Sequence, residues 1–216
     1  MSQEILNQGA EAIIEKRGNE IIKKRIEKSY RIKEIDDRIR KLRTRSEAKI
    51  LEKASKIIPV PRVIKIDENT KEIFMENIDG IRLSDSLDSF PLQKQKEICE
   101  EIGYNISKLH NENIIHGDLT PSNMIYNDNM KNLDGKRDDI KVFFIDFGLG
   151  FISAKIEDRA VDLHLLREAL EANFSKNMEV LFDSVKKGYS KDYKDAKLVL
   201  ERFKAVERRG RYKQGS

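Results

Sequence analysis

The chain predicts an α+β protein of two lobes: a small β-rich amino-terminal lobe with one long helix over residues 1–78, and a reduced helical lobe over 79–207, followed by a basic tail at 208–216. Three observations predict it. Short apolar runs separated by turn residues fill the first 25 positions, which is strand patterning. Apolar residues then recur at helical spacing from about Ile35 to Lys56, and again over Gln93–Asn111 and Arg159–Phe174. Between the two regimes the softest stretch is Asn77–Gly80, where the β-rich part would hinge to the helical remainder. A length of 216 residues is enough for two small lobes sharing a cleft.

In chain order, Glu4–Leu6 and Ala12–Glu15 read as short strands around the loop Asn7-Gln8-Gly9-Ala10-Glu11-Ala12. The turn Lys16-Arg17-Gly18-Asn19 leads into a third strand, Glu20-Ile21-Ile22-Lys23. Alternation puts Ile22 and Lys24 on one face and Ile21, Lys23 and Arg25 on the other. The following helix carries Ile35, Ile39, Leu42, Ile50, Leu51 and Ala54, and reads as amphipathic but interrupted by charged turns. In Gln93–Asn111, Cys99 falls with Ile98, Ile102, Ile106 and Leu109, the place of a small buried hydrophobe rather than a nucleophile. Met124-Ile125-Tyr126 and Val142-Phe143-Phe144-Ile145 read as buried strands, and Asn127–Lys141, rich in Asn, Asp, Lys and Gly, as a solvated loop insertion between them.

Two fragments carry chemistry: His116-Gly117-Asp118-Leu119-Thr120-Pro121-Ser122-Asn123, and Ile145-Asp146-Phe147-Gly148, with Asp146 23 residues past Asn123. Either alone could be an ordinary turn; together they resemble the pairing by which protein-kinase-like enzymes hold ATP and magnesium. Asp118 would orient or accept the proton of an attacking hydroxyl or water. Asn123 and Asp146 would supply hard oxygen ligands to magnesium, Asp146 bridging it to the nucleotide phosphates. Such a site also needs a strand lysine and a helix glutamate, and Lys23 and Glu47 are the candidates, Lys24 being the neighbour to exclude. The phosphate loop holds one glycine, Gly9, followed by Ala10 and Glu11. A carboxylate there repels a triphosphate unless it meets a metal or a cation.

Departures from ordinary protein kinases narrow the chemistry. Gly117 stands where many carry an arginine that receives an activation-loop phosphate, and Thr120 stands where a lysine would face the transferred phosphoryl group. Nine residues separate Gly148 from Asp158, too few for an extended peptide-docking segment. ATP hydrolysis is therefore expected over peptide phosphorylation.

Gly9-Ala10-Glu11-Ala12, Lys28-Ser29-Tyr30-Arg31, Glu47-Ala48, Met75-Glu76-Asn77-Ile78-Asp79-Gly80, the two fragments above, Glu157-Asp158-Arg159-Ala160-Val161-Asp162-Leu163 and Arg209-Gly210-Arg211 resemble the small atypical kinase of the KEOPS complex over nearly the whole chain. The resemblance implies a minimal protein-kinase-like bilobal fold. It implies an ATPase activity that supports threonylcarbamoylation of adenosine in transfer RNA, beside a threonylcarbamoyl transferase subunit and a small regulatory subunit bound to the amino-terminal lobe. It gives Lys23, Glu47, Asp118, Asn123 and Asp146 to ATP and magnesium, and Glu76, Asn77 and Ile78 to an adenine-binding hinge. His116 and Asp162 would brace the catalytic loop. This chain has Thr120-Pro121-Ser122-Asn123 where the family more often has Thr-Thr-Ser-Asn.

Composition excludes other classes. No run of 18 apolar residues occurs and Met1-Ser2-Gln3-Glu4 lacks a basic-then-apolar start, so a soluble cytoplasmic protein without membrane contact is expected. One cysteine permits no internal disulfide, and His110, His116 and His164 lack metal-ligand spacing. The formal charge is +4, with 13 Lys or Arg against five Asp or Glu in residues 16–45, a run read first as a solvated face. Arg208, Arg209 and Arg211 form a second cluster beside Tyr212, suited to RNA or partner contact. Two alternatives are an independent serine/threonine protein kinase with autophosphorylation and a small-molecule kinase, for which the 68 residues after Gly148 leave little room.

Overall fold

The computed structural model describes residues 3–127 and 141–213, with side chains from 4 to 127 and 141 to 209. The first lobe is a five-stranded antiparallel sheet of order β1-β2-β3-β5-β4, made from β1 (Gln3–Gln8), β2 (Ala12–Arg17), β3 (Glu20–Arg25), β4 (Val63–Asp67) and β5 (Glu72–Glu76). The alternation in β3 is realised: Ile22 is buried and Lys24 exposed, while Lys23 and Arg25 are enclosed on the opposite face. The helix α1 (Lys33–Ala54) crosses the sheet and buries Ala48 against Ile73 and Met75.

The helix is continuous, which corrects the expectation of charged interruptions. Its polar residues satisfy one another: Arg40 donates to Asp36 one turn back at 2.6 Å, and the Thr44 hydroxyl donates to the Arg40 carbonyl at 2.9 Å. A charged stretch breaks a helix only when its groups compete for the backbone, and here only Thr44 touches it, within the helix.

After β6 (Ile81–Arg82) and the short α2 (Leu83–Ser86), the second lobe is built on α3 (Leu92–Asn111), α4 (Ile156–Phe174), α5 (Met178–Tyr189) and α6 (Ala196–Lys213). Its short strands are β7 (Ile114–Ile115), β8 (Met124–Asn127), β9 (Lys141–Phe144) and β10 (Phe151–Ile152); β8 lies between β6 and β9, and β10 pairs with β7. The helices enclose one apolar core in which Ile98, Ile106, Leu166, Leu181 and Val199 are completely buried. Cys99 is part of that core, and burial pushes its thiol up to about 12.

Helices α3 and α5 touch backbone to backbone, because a Cβ on Gly103 would lie 2.0 Å from the Val185 carbonyl oxygen and one on Gly188 would lie 1.8 Å from that of Glu100. Residues 208–213, expected as a tail, continue α6 as helix. The insertion expected at Asn127–Lys141 lies outside the described residues except at its ends, which pair with each other across β8 and β9. Among the described residues no helix is long and apolar enough to cross a membrane.

Candidate active site

A cleft of about 330 Å³ separates the lobes. Ile14, Ile21 and Met75 of the sheet and Ile125 and Ile145 of the second lobe wall it with apolar surface, while Lys23, Glu47, Asn123 and Asp146 bring polar groups into its lining. Strand β3 delivers Lys23 because Ile22, its neighbour on the other face, is anchored in the core. Helix α1 delivers Glu47 because Ala48 packs on Ile73 and Met75 of the sheet while Leu51 enters the larger core, and the two together fix the rotation of the helix.

Lys23 Nζ donates to Glu47 Oε1 and to Asp146 Oδ1, each at 2.6 Å. Burial disfavours the ammonium, but the two carboxylates together outweigh it and hold Lys23 above its ordinary value. For Asp146 burial acts upward, while the Lys23 charge and hydrogen bond and the Gly148 amide, 3.1 Å away, carry it below the usual carboxylate range. Asp146 itself adopts φ +61°, a conformation side chains rarely take, so the turn holds its carboxylate against local preference.

On the opposite wall, Asn123 Nδ2 donates to the Asp118 carboxylate at 2.8 Å and to the Asp118 carbonyl at 3.0 Å, closing the loop between them around a 3₁₀ turn at Pro121–Asn123. The Asp118 amide donates to His116 Nδ1 at 3.3 Å, so the His116 proton resides on Nε2, which faces the Ile145 carbonyl at 3.2 Å. Burial holds this imidazole below its ordinary value despite the Asp162 carboxylate nearby. Asp162 of α4 accepts from the His116 and Gly117 amides, both at 2.9 Å, and faces His110 Nε2 at 3.1 Å. Gly117 has φ +80°, and a Cβ there would lie 2.4 Å from the Leu149 carbonyl oxygen. An arginine cannot occupy this position while the segment after Asp146 keeps its path.

Glu76, Asn77 and Ile78 line the cleft where the chain passes between lobes. Gly9, Ala10 and Glu11 do not line it; they form the exposed β1–β2 turn, where Gly9 N–H donates to the Ala12 carbonyl at 3.0 Å. Asn7 and Leu6 reach the cleft instead. The carboxylate that sat oddly in a phosphate loop has its cation in Arg43 of α1, 2.7 Å from Glu11. Lys24 points to the surface and pairs with Glu72 at 3.3 Å. Arg209 pairs with Glu157 of α4, Arg208 is exposed, and the Arg211 side chain lies outside the described residues.

Sequence reading did not assign Arg25, whose guanidinium donates to Glu47 Oε2 at 2.5 Å; its place on the Lys23 face was the available signal. It also missed the apolar cleft walls, which were visible only as half of each strand alternation.

The chain matches the protein kinase domain family over residues 8–161. It is 42% identical over 199 residues to the KEOPS complex subunit Bud32 of Pyrococcus abyssi, covering 91% of this chain and 86% of that protein. With the probable serine/threonine-protein kinase BUD32 homolog of Archaeoglobus fulgidus it shares 38% identity over 205 residues, 94% of each. A probable bifunctional tRNA threonylcarbamoyladenosine biosynthesis protein of Methanobrevibacter smithii is 38% identical over 214 residues, 96% of this chain and 36% of that protein. In fold, the chain is similar to the Rio2 kinase of the ADP/Mg2+-phosphoaspartate complex from Chaetomium thermophilum, with a TM-score of 0.62 at 16% identity over 96% of this chain and 70% of that one. With a lysine, a helix glutamate and two loop oxygens gathered in one cleft, and with relatives matched almost end to end, this chain carries a protein kinase domain and belongs to the Bud32 family.

Proposed function

We propose that this chain is a cytoplasmic, ATP- and magnesium-dependent atypical kinase that acts mainly as an ATPase in threonylcarbamoyladenosine modification of transfer RNA by a KEOPS complex. The observation that carries the reading is the Lys23 bridge between Glu47 and Asp146, made in a cleft that Asn123 also lines.

The apolar walls suit an adenine ring, with Glu76, Asn77 and Ile78 at the passage between lobes as its hinge. Lys23 would turn from Asp146 to the α and β phosphates while its ammonium keeps its hydrogen bond to Glu47 Oε1. Gly9, Ala10 and Glu11, at the exposed turn, would cover the phosphates rather than grip them. Asn123 and Asp146 would hold magnesium. The donor set fits: the Asn123 amide nitrogen is engaged by Asp118, which leaves its oxygen as the ligand atom, and magnesium takes few protein oxygens beside phosphates. When bound, the metal neutralises charge on the phosphates. Asp118, with one carboxylate oxygen held by Asn123, would accept the proton of an attacking water.

Hydrolysis is favoured over peptide phosphorylation by Thr120, by the short path from Gly148 to α4, and by the packing that keeps position 117 free of a side chain. The proposed partners are a threonylcarbamoyl transferase subunit, a small regulatory subunit on the amino-terminal lobe, and transfer RNA contacted through Arg208, Arg209 and Arg211. The name of the Archaeoglobus relative supports a second reading, an autonomous serine/threonine kinase with autophosphorylation. ATP hydrolysis measured with and without the transferase subunit and transfer RNA separates them: stimulation supports the first, and efficient labelling of free peptides by the isolated chain supports the second.

A further inference from the structure

Arg25 follows Lys23 by two residues on the same face of β3, and its side chain is 5% exposed. The Glu47 carboxylate, 1% exposed, is divided between them, Oε1 to Lys23 at 2.6 Å and Oε2 to Arg25 at 2.5 Å. The same guanidinium nitrogen reaches the Arg43 carbonyl, one turn back on α1, at 3.4 Å. The Arg25 Nε is buried without a partner, so the fold accepts a stranded donor in order to keep this charge beside Glu47.

Resting on the reading of the cleft as an ATP site, we propose that Arg25 is a positioning residue, a permanent counter-charge for Glu47 that docks α1 and releases Lys23 for the phosphates. If Lys23 were the sole partner of Glu47, its turn toward phosphate would weaken the pairing of a buried carboxylate, a costly change that would hold Lys23 back or let α1 swing out. With Arg25 in place Glu47 remains paired throughout. Docking of the corresponding helix in protein kinases is controlled by activation-loop phosphorylation. Here Gly117 offers no receptor for such a phosphate, and Arg25 sets the helix position from within the sheet.

The test is a double-mutant cycle on the full chain, reading kcat/KM for ATP hydrolysis and calorimetric binding of a nonhydrolysable magnesium-ATP analogue. Arg25→Gln should lower kcat/KM by about tenfold or more, and on a Glu47→Gln background the same change should cost less than about twofold. A merely structural role would lower the melting temperature and leave kcat/KM and analogue affinity of the folded protein unmoved in both backgrounds. Arg25→Lys, which keeps a charge, should recover part of the loss, and it carries the cycle in place of Arg25→Gln if that variant does not fold. Amide exchange in α1 of the nucleotide-free chain should quicken in Arg25→Gln. Equal losses in the two backgrounds, or an unchanged kcat/KM in Arg25→Gln while the wild type binds the analogue, would overturn the role of Arg25 alone. A wild-type chain that binds no magnesium nucleotide would overturn the ATP reading beneath it.

Discussion

Replacing Lys23 by Met keeps most of the side-chain length and removes the charge that joins the two lobes. Lys23 Nζ sits 2.6 Å from both Glu47 and Asp146 with its side chain 7% exposed, so its contribution acts in a largely desolvated place. The fold should survive, because Glu47 keeps Arg25 at 2.5 Å and the Asp146 side chain, 44% exposed, can be hydrated instead. Removing one preorganised charged donor from such a site costs about 3–4 kcal/mol at the transition state, roughly 10²–10³-fold in kcat. Lys24→Met is the control on the adjacent residue. Its side chain is 49% exposed and its pair with Glu72 spans 3.3 Å. A surface pair of that kind is worth about 0–1 kcal/mol to stability and nothing to turnover. Phosphate release at saturating magnesium and ATP, with a thermal melt of each variant, decides the matter. A Lys23→Met protein that melts normally and retains more than about a tenth of the wild-type rate would refute the role assigned to Lys23.

Asp146→Ala should abolish magnesium-dependent nucleotide binding with the fold retained, since it removes a cleft oxygen rather than core volume; retention of turnover would sink the metal assignment. Gly103→Ala forces a Cβ to 2.0 Å from the Val185 carbonyl oxygen and should lower the melting temperature. Overpacking of about 1–3 kcal/mol corresponds to a fall of roughly 3–10 °C in a chain of this size, and an unshifted melt would show that α3 and α5 separate freely. The Lys23–Asp146 pair also has a pH signature. Asp146 is depressed below its ordinary 3.8, so its contribution is present above that value and drains as pH falls through the folded pKa; Lys23 is raised above 10.5, so its contribution is complete below that and drains as pH rises. The stability difference between wild type and Lys23→Met, from urea midpoints, should therefore stay constant from about pH 5 to 10, and a slope near neutrality would contradict the pairing. Deleting residues 208–216 should spare basal hydrolysis and reduce stimulation by transfer RNA. It should also flatten the logarithmic salt dependence of RNA binding by roughly 3, and identical slopes would leave the cluster a solvated helix end.

The candidate site was legible in the sequence as far as short-range geometry carries. The five-residue interval from Asp118 to Asn123 keeps both on one short loop, which follows from local chain connectivity alone; that the two side chains bond to each other, at 2.8 Å, is decided by the turn the loop takes. The alternation of β3 separated Lys23 from Lys24 for the same reason, since successive side chains on a strand must take opposite faces. The helical spacing of Ile98, Ile102, Ile106 and Leu109 likewise marked α3 and its buried side before any neighbour was known.

What the sequence alone could not decide was which distant groups meet. The hairpin β4–β5 joins the sheet with β5 against β3, and the close approach of α3 and α5 depends on two glycines 85 residues apart that look like ordinary helix weak points in isolation. The Glu11 carboxylate found its cation in Arg43, and Glu47 acquired a second one in Arg25; in a chain with 37% charged residues nothing local singles Arg43 out, and strand alternation gives Arg25 its face but not its partner. Periodicity tells a residue which face it occupies; the partner on that face is set by how sheet and helix stack. A buried ion pair depends on that stacking, because only packing removes the water that would otherwise make one charged neighbour as good as another.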